Sequence, residues 1–166
     1  MRHFLSISDL SKAEIEQVLE IATNIEKNWQ FCRNMNNKCI ASFFAEPSTR
    51  TRFSFERAMH WLGGRCVTAA DASASSSLTK GESLKDTAQT LQAMGADAVI
   101  IRHHASGSAQ RLADSGWINA CVINAGDGTH EHPSQALLDS FTIRRHLAHG
   151  GKDLAGLKVA IVGDVL

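Results

Sequence analysis

The stretch Cys39-Ile40-Ala41-Ser42-Phe43-Phe44, followed by Ala45-Glu46-Pro47-Ser48-Thr49-Arg50-Thr51-Arg52, sets the architecture. Six residues, all apolar but Ser42, bounded by polar sequence read as a buried strand, and Thr51 to Leu62 reads as a helix stopped by Gly63-Gly64. Outward from this unit the pattern repeats. Cys66 to Ala69 is a short strand, Ser83 to Met94 a helix ended by Gly95, and Ala98 to Ile101 a strand. Ala109 to Asp114 is a short helix, Ala120 to Ile123 a strand, and Pro133 opens a long helix that fades by His149-Gly150-Gly151. Ahead of the unit, Ser11-Lys12-Ala13-Glu14 has capping-box form, with Ile15, Val18, Leu19, Ala22 and Ile25 at helical spacing.

Strands alternating with helices predict an α/β fold, a parallel sheet with helices on both faces in three layers. Ligands of such sheets bind at the carboxyl ends of the strands, so the loops after Phe44, Ala70, Ile101 and Ile123 are expected to converge on one site. Residues 1–149 are read as one domain. Residues 150–166 are read as a linker and the first buried strand, Leu157 to Asp164, of a second α/β domain cut short by the end of the chain.

Composition excludes several classes. Lys plus Arg equals Asp plus Glu at 17 each, which argues against nucleic-acid binding but leaves room for a small anion held by a few cations. Cys32, Cys39, Cys66 and Cys121 are scattered, predicting reduced thiols rather than a disulfide framework or zinc site. The N-terminal residues lead straight into polar sequence, so neither a signal peptide nor a membrane span is expected, and the expected location is cytoplasmic.

The chemistry concentrates in a few loops. Ser48-Thr49-Arg50-Thr51-Arg52 opens a helix, where unpaired N–H groups and the positive dipole end attract an anion. Hydroxyls and a guanidinium fork add donors suited to phosphate. Arg50 and Arg52 are two apart and point to different sides, and Arg50 is the one expected to face the ligand. The same residues also suit an ordinary capped helix with surface ion pairs. The glycines of a Walker loop or dinucleotide fingerprint are absent. Ser75 to Glu82 is a loop of small residues around Lys80, readable as a solvated linker or as an anion-reaching arm. Arg102 follows a strand end, while the neighbouring His103-His104 pair lacks the further spaced ligands that a metal needs. His132 and Gln135 share a helix face, and an imidazole with an amide can hold a carbonyl oxygen and an NH₂ group.

Taken in order, Ser48 to Arg52, Ser77-Leu78-Thr79-Lys80-Gly81-Glu82, Arg102 and His132-Pro133-Ser134-Gln135 resemble the aspartate and ornithine carbamoyltransferases. Gly126-Asp127-Gly128 and Ala136-Leu137-Leu138-Asp139 resemble the aspartate branch, and the ornithine branch usually carries cysteine where Ser134 stands. The resemblance implies that Ser48, Thr49, Arg50 and Thr51 hold the phosphate of carbamoyl phosphate. It implies that Arg102 touches phosphate and carbonyl, that Thr51 and His132 polarise the carbonyl, and that Gln135 holds the carbamoyl nitrogen. Ser77 and Lys80 resemble a loop that enters a neighbouring subunit's site in a homotrimer, and Glu46 a residue that ties two domains together. The implied acceptor is L-aspartate, with no metal or organic cofactor. Members of the family continue into an aspartate-binding domain, so the 166 residues are expected to bind carbamoyl phosphate without completing transfer. A carbamoyltransferase for another amine such as ornithine, and a non-catalytic anion-binding or assembly fragment, are the alternatives.

Overall fold

The computed structural model describes residues 2–28, 34–69, 83–148 and 154–163. A single 3-10 turn at Ile7–Asp9 precedes α1 (Lys12–Asn28), whose capping box is formed as expected. Glu14 Oε2 accepts the Ser11 N–H at 2.8 Å, and Ser11 Oγ accepts the Glu14 N–H at 3.3 Å. Then follow β1 (Cys39–Phe44), α2 (Thr49–Trp61), β2 (Arg65–Ala69), α3 (Leu84–Ala93), β3 (Ala98–His103), α4 (Ser108–Asp114), β4 (Cys121–Asp127) and α5 (Pro133–Ala148).

The four strands form one parallel sheet in the order β2-β1-β3-β4. From β1 the chain first adds β2 on one side, then crosses back to add β3 on the other. Strand order therefore reverses between β1 and β3, and loops leaving their carboxyl ends diverge to leave a crevice.

Residue alternation assigns the two faces. Ala41 and Phe43 of β1 and Val99 and Ile101 of β3 pack with Ala88 and Leu91 of α3 and Ala109 and Leu112 of α4. Ile40, Phe44, Ile100 and Ala125 point the other way, onto Met59 of α2. On that side α1, α2 and α5 lie together, bordering an apolar groove with Ile25, Trp61 and Phe141. Each fully buried large aliphatic or aromatic side chain contributes on the order of 2 kcal/mol through removal of apolar area from water. The expected parallel sheet with helices on both faces is thus the observed one.

Two features depart from the sequence reading. Phe4 bridges β4 in parallel fashion, its N–H donating to Val122 O and its carbonyl accepting from Asn124 N–H, both at 2.9 Å. A one-residue bridge carries no periodicity and could not be anticipated. The apolar run from Leu157, expected as a buried strand, forms none over its described residues up to Gly163. Val159, Ile161 and Val162 are exposed there. A parallel strand satisfies its N–H and C=O groups only against a neighbouring strand, and no described strand pairs with it. Ser77 and Lys80 lie outside the described residues.

Candidate active site

Pro47 and Ser48 carry the chain from β1 into α2. Ser48 is extended (φ −155°, ψ 93°), and the first helical bond runs from Arg52 N–H to Ser48 O at 3.1 Å. The N–H groups of Thr49, Arg50 and Thr51 precede that bond and have no partner within the helix. The Ser48 hydroxyl occupies the cap position yet makes no capping bond, unlike Ser83, which closes a full capping box with Asp86 on α3. The opening of α2 thus presents donors that its own sequence does not consume.

Arg50 and Arg52 diverge. Arg50 lines a cleft of about 670 Å³, together with Ser48 and Thr51 and, one and two turns on, Ser54, Phe55 and Ala58. Arg52 turns towards Glu56 (3.8 Å) and lies over the Phe53 ring at 5.0 Å. Thr49 is exposed and does not line the cleft.

The opposite wall is made by Arg102, His132, Ser134, Gln135 and Leu138. Arg102 sits at the carboxyl end of β3, where its carbonyl accepts the Ala45 N–H at 2.8 Å and so joins the two diverging loops. Its guanidinium is fixed from two sides, Nη1 donating to Ala125 O (3.1 Å) and Nη2 to Glu46 Oε1 (3.2 Å). Glu46, which the resemblance assigns to an interdomain tie, serves here to orient Arg102. Next to it β4 takes an extra residue, the register passing from Ile101↔Asn124 to His103↔Asp127. Gly126 stands in this irregularity at φ +115°, and a Cβ there would meet Arg102 Nη1 at 2.3 Å. The backbone angle therefore favours glycine, and any side chain there would displace the Arg102 guanidinium.

His132 immediately precedes α5, and its carbonyl accepts the N–H groups of Gln135 (3.0 Å) and Ala136 (3.1 Å). Its Nδ1 lies 3.3 Å from Ser134 Oγ. Burial, followed by the nearby Arg102 charge, pushes the imidazole below its ordinary 6.5, with Asp139 opposing. The ring is therefore neutral near pH 7. Gln135 Nε2 donates to Asp139 Oδ1 at 2.9 Å, which leaves its Oε1 as the end available to a ligand.

In the loop before His132 lies a buried carboxylate to which the sequence reading gave no role of its own. Asp127 is 2% exposed and accepts from Gly107 N–H (2.8 Å), Asn124 Nδ2 (3.1 Å) and Glu131 N–H (3.0 Å), with His130 Nδ1 at 3.1 Å. Burial pushes its pKa up, but these bonds together outweigh burial and hold it below the usual carboxylate value. Glu131 in turn accepts from Ser6 Oγ (2.8 Å) and Ile7 N–H (3.0 Å), tying the N-terminal turn to the same loop. An Asp-Gly pair in a loop signals a turn by itself, and nothing local reveals that partners distant in sequence converge on it.

The His103-His104 pair stacks at 4.3 Å, and His103 Nδ1 accepts the Ala105 N–H at 2.9 Å, a local use of that nitrogen. Among the described residues no group of three or more His, Cys, Asp or Glu side chains is arranged to hold a metal. No described helix is long and apolar enough to cross a membrane.

Comparison with known proteins points to one family. The aspartate carbamoyltransferase catalytic subunit of Renibacterium salmoninarum is 54% identical, aligned over the whole of this chain and 51% of its own length. That of Micrococcus luteus is 48% identical, over the whole of this chain and 53% of its own. The chain thus spans about half the length of the curated relatives it matches. Among solved structures, the catalytic subunit of M. jannaschii aspartate transcarbamoylase superposes with a TM-score of 0.77 at 43% identity, covering 89% of this chain and 48% of that one. The Trypanosoma cruzi aspartate transcarbamoylase in complex with carbamoyl aspartate and phosphate gives 0.79 at 31% identity, covering 89% and 45%. With residues 2–145 matching the family model for the carbamoyl-P binding domain, the chain belongs to the aspartate/ornithine carbamoyltransferase family.

Proposed function

We propose that the protein of which these residues form the carbamoyl-phosphate-binding domain transfers the carbamoyl group of carbamoyl phosphate to the amine of L-aspartate. The products are N-carbamoyl-L-aspartate and phosphate, as in pyrimidine biosynthesis. The observation that carries this reading is a single cleft walled by Ser48, Arg50 and Thr51 on one side and Arg102, His132 and Gln135 on the other. The phosphate dianion sits at the start of α2, held by the free first-turn N–H groups, that of Thr49 included, by the hydroxyls of Ser48 and Thr51, and by Arg50. Arg102 spans phosphate and carbonyl. A neutral His132 with its proton on Nε2 donates to the carbonyl oxygen beside Thr51 and takes the Ser134 hydroxyl, 3.3 Å away, at Nδ1. Gln135 Oε1 accepts from the carbamoyl NH₂.

In the reaction the aspartate amine forms a C–N bond to the carbamoyl carbon, the C–O bond to phosphate breaks, and the amine loses a proton. Negative charge grows on the carbonyl oxygen and on the departing phosphate, where the fixed donors stand. Residues 1–149 are the carbamoyl-phosphate domain on this reading, and residues 150–166 open the aspartate-binding domain. The assembly is a cytoplasmic homotrimer in which Ser77 and Lys80 complete a neighbour's site. The names carried by the relatives favour aspartate over ornithine as acceptor.

Calorimetry with carbamoyl phosphate on the 166-residue chain tests the site. Arg102→Ala is expected to weaken binding on the order of 100-fold and Arg50→Ala, more exposed, by about tenfold. Equal binding by native chain and both variants would remove the proposed site, and carbamoyl aspartate formation by the chain alone would contradict the division of labour between domains.

A further inference from the structure

We infer that Asp127 is a positioning residue for this site: its buried carboxylate clamps the loop carrying His132 against the loop that leads into α4, setting the imidazole's place in the cleft. The inference rests on the carbamoyl-phosphate reading only for its consequence on binding; the clamp itself is a matter of geometry. Both carboxylate oxygens are occupied. Oδ2 takes the Gly107 N–H at 2.8 Å, and Oδ1 takes Asn124 Nδ2 at 3.1 Å and the Glu131 N–H at 3.0 Å. The ring of His130, more than half exposed, closes over them at 3.1 and 3.3 Å. The backbone is looped as well, Asp127 N–H donating to Glu131 O (3.1 Å), His130 N–H to Asp127 O (3.2 Å), and Gly128 N–H to His103 O (2.9 Å).

The consequence for His132 follows from chain continuity. Glu131 is pinned through its N–H and its carbonyl, and the next residue, His132, is pinned through its own carbonyl by α5. A backbone held on both sides leaves the imidazole little freedom except about its own side-chain torsions, and Ser134 limits those. Asp127 itself does not line the cleft and touches no substrate position. Its effect therefore passes through His132, as a supporting residue locks a binding group that must be placed to within about 0.5 Å.

Asp127→Asn keeps the volume but replaces one acceptor oxygen with an NH₂ group that faces existing donors. Ring NMR of His132 and calorimetry with carbamoyl phosphate, both well below the thermal midpoint, read the outcome. The expected result is a folded variant with shifted His132 ring resonances and binding weakened by about tenfold or more. A folded variant with native ring resonances and native affinity would reduce Asp127 to a fold-stabilising residue and overturn the inference. Should Asp127→Asn fail to fold, His130→Ala decides, because it withdraws one contact from the exposed side. Shifted His132 resonances with affinity lowered roughly two- to threefold support the clamp, and unchanged resonances and affinity overturn it. If the native chain binds no carbamoyl phosphate, the functional reading falls, while the ring resonances of His132 still judge the clamp.

Discussion

The two ends of the same sheet solve opposite problems. At the amino end, the Asp97 carboxylate accepts both Lys38 Nζ and the Cys39 N–H at 2.8 Å, and its backbone bonds to Cys39 and Cys121. The polar groups there pair with one another. At the carboxyl end, Ser48 makes no capping bond, the first N–H groups of α2 point away from their helix, and Arg50 lines an open cleft. Arg102 is paired there, but its partners hold it in place rather than cover it. A sheet end whose donors are mutually satisfied has nothing to offer a ligand. One whose donors are oriented and unspent is a binding site, because the desolvated anion supplies what the protein withheld.

The comparison breaks most sharply at Gly126. Gly126→Ala drives a Cβ to within 2.3 Å of Arg102 Nη1 at a backbone angle that side chains rarely adopt. Carbamoyl phosphate affinity is expected to fall by roughly tenfold or more, with stability lowered by about 1–2 kcal/mol; calorimetry and urea unfolding measure the two.

A pH experiment probes the same end more gently. His132 titrates below its ordinary 6.5, through burial first and the Arg102 charge second, so Arg102→Ala should move its NMR titration midpoint upward. The sign for stability follows from linkage. As pH falls below about 6.5, the unfolded imidazole takes up a proton before the folded one does. The contribution of this group is therefore present above that pH and lost on descending to the folded value. A His132 midpoint at or above 6.5 would remove the claim that the site holds the ring neutral.

The smallest effect is expected at the opposite end. Lys38 and Asp97 are both solvent-exposed, so Lys38→Ala should lower the urea-unfolding midpoint only slightly and leave carbamoyl phosphate binding unchanged. A change in affinity would show that the two ends are coupled.

How much could be read in advance depended on the range of the interactions. β1 occupies Cys39–Phe44 as expected, because a six-residue run that is apolar but for Ser42 buries on both faces and ends at a proline-containing turn. The opening of α2 was legible for the same reason, since caps and first-turn donors are local. β4 was read only as far as Ile123, yet runs to Asp127. Asn124, Gly126 and Asp127 look like loop residues until the partners that satisfy Asn124 and Asp127, Leu5, Gly107 and Glu131, are in place. The Glu46–Arg102 ion pair and the Phe4 bridge joined residues too distant for any pattern to link.

By itself, then, the sequence determined the alternation of strands and helices, the helix that presents its amino end, and the separation of Arg50 from Arg52, all of which follow from periodicity and from steric rules acting over a few residues. The tertiary structure alone decided that Arg102 lies against Gly126, that Asp127 is buried beside the His132 loop, and that the run from Leu157 to Gly163 forms no strand with the other described residues. Those outcomes depend on which strand lies beside which, and hydrogen bonds and close packing between distant segments exist only once the sheet has brought them together.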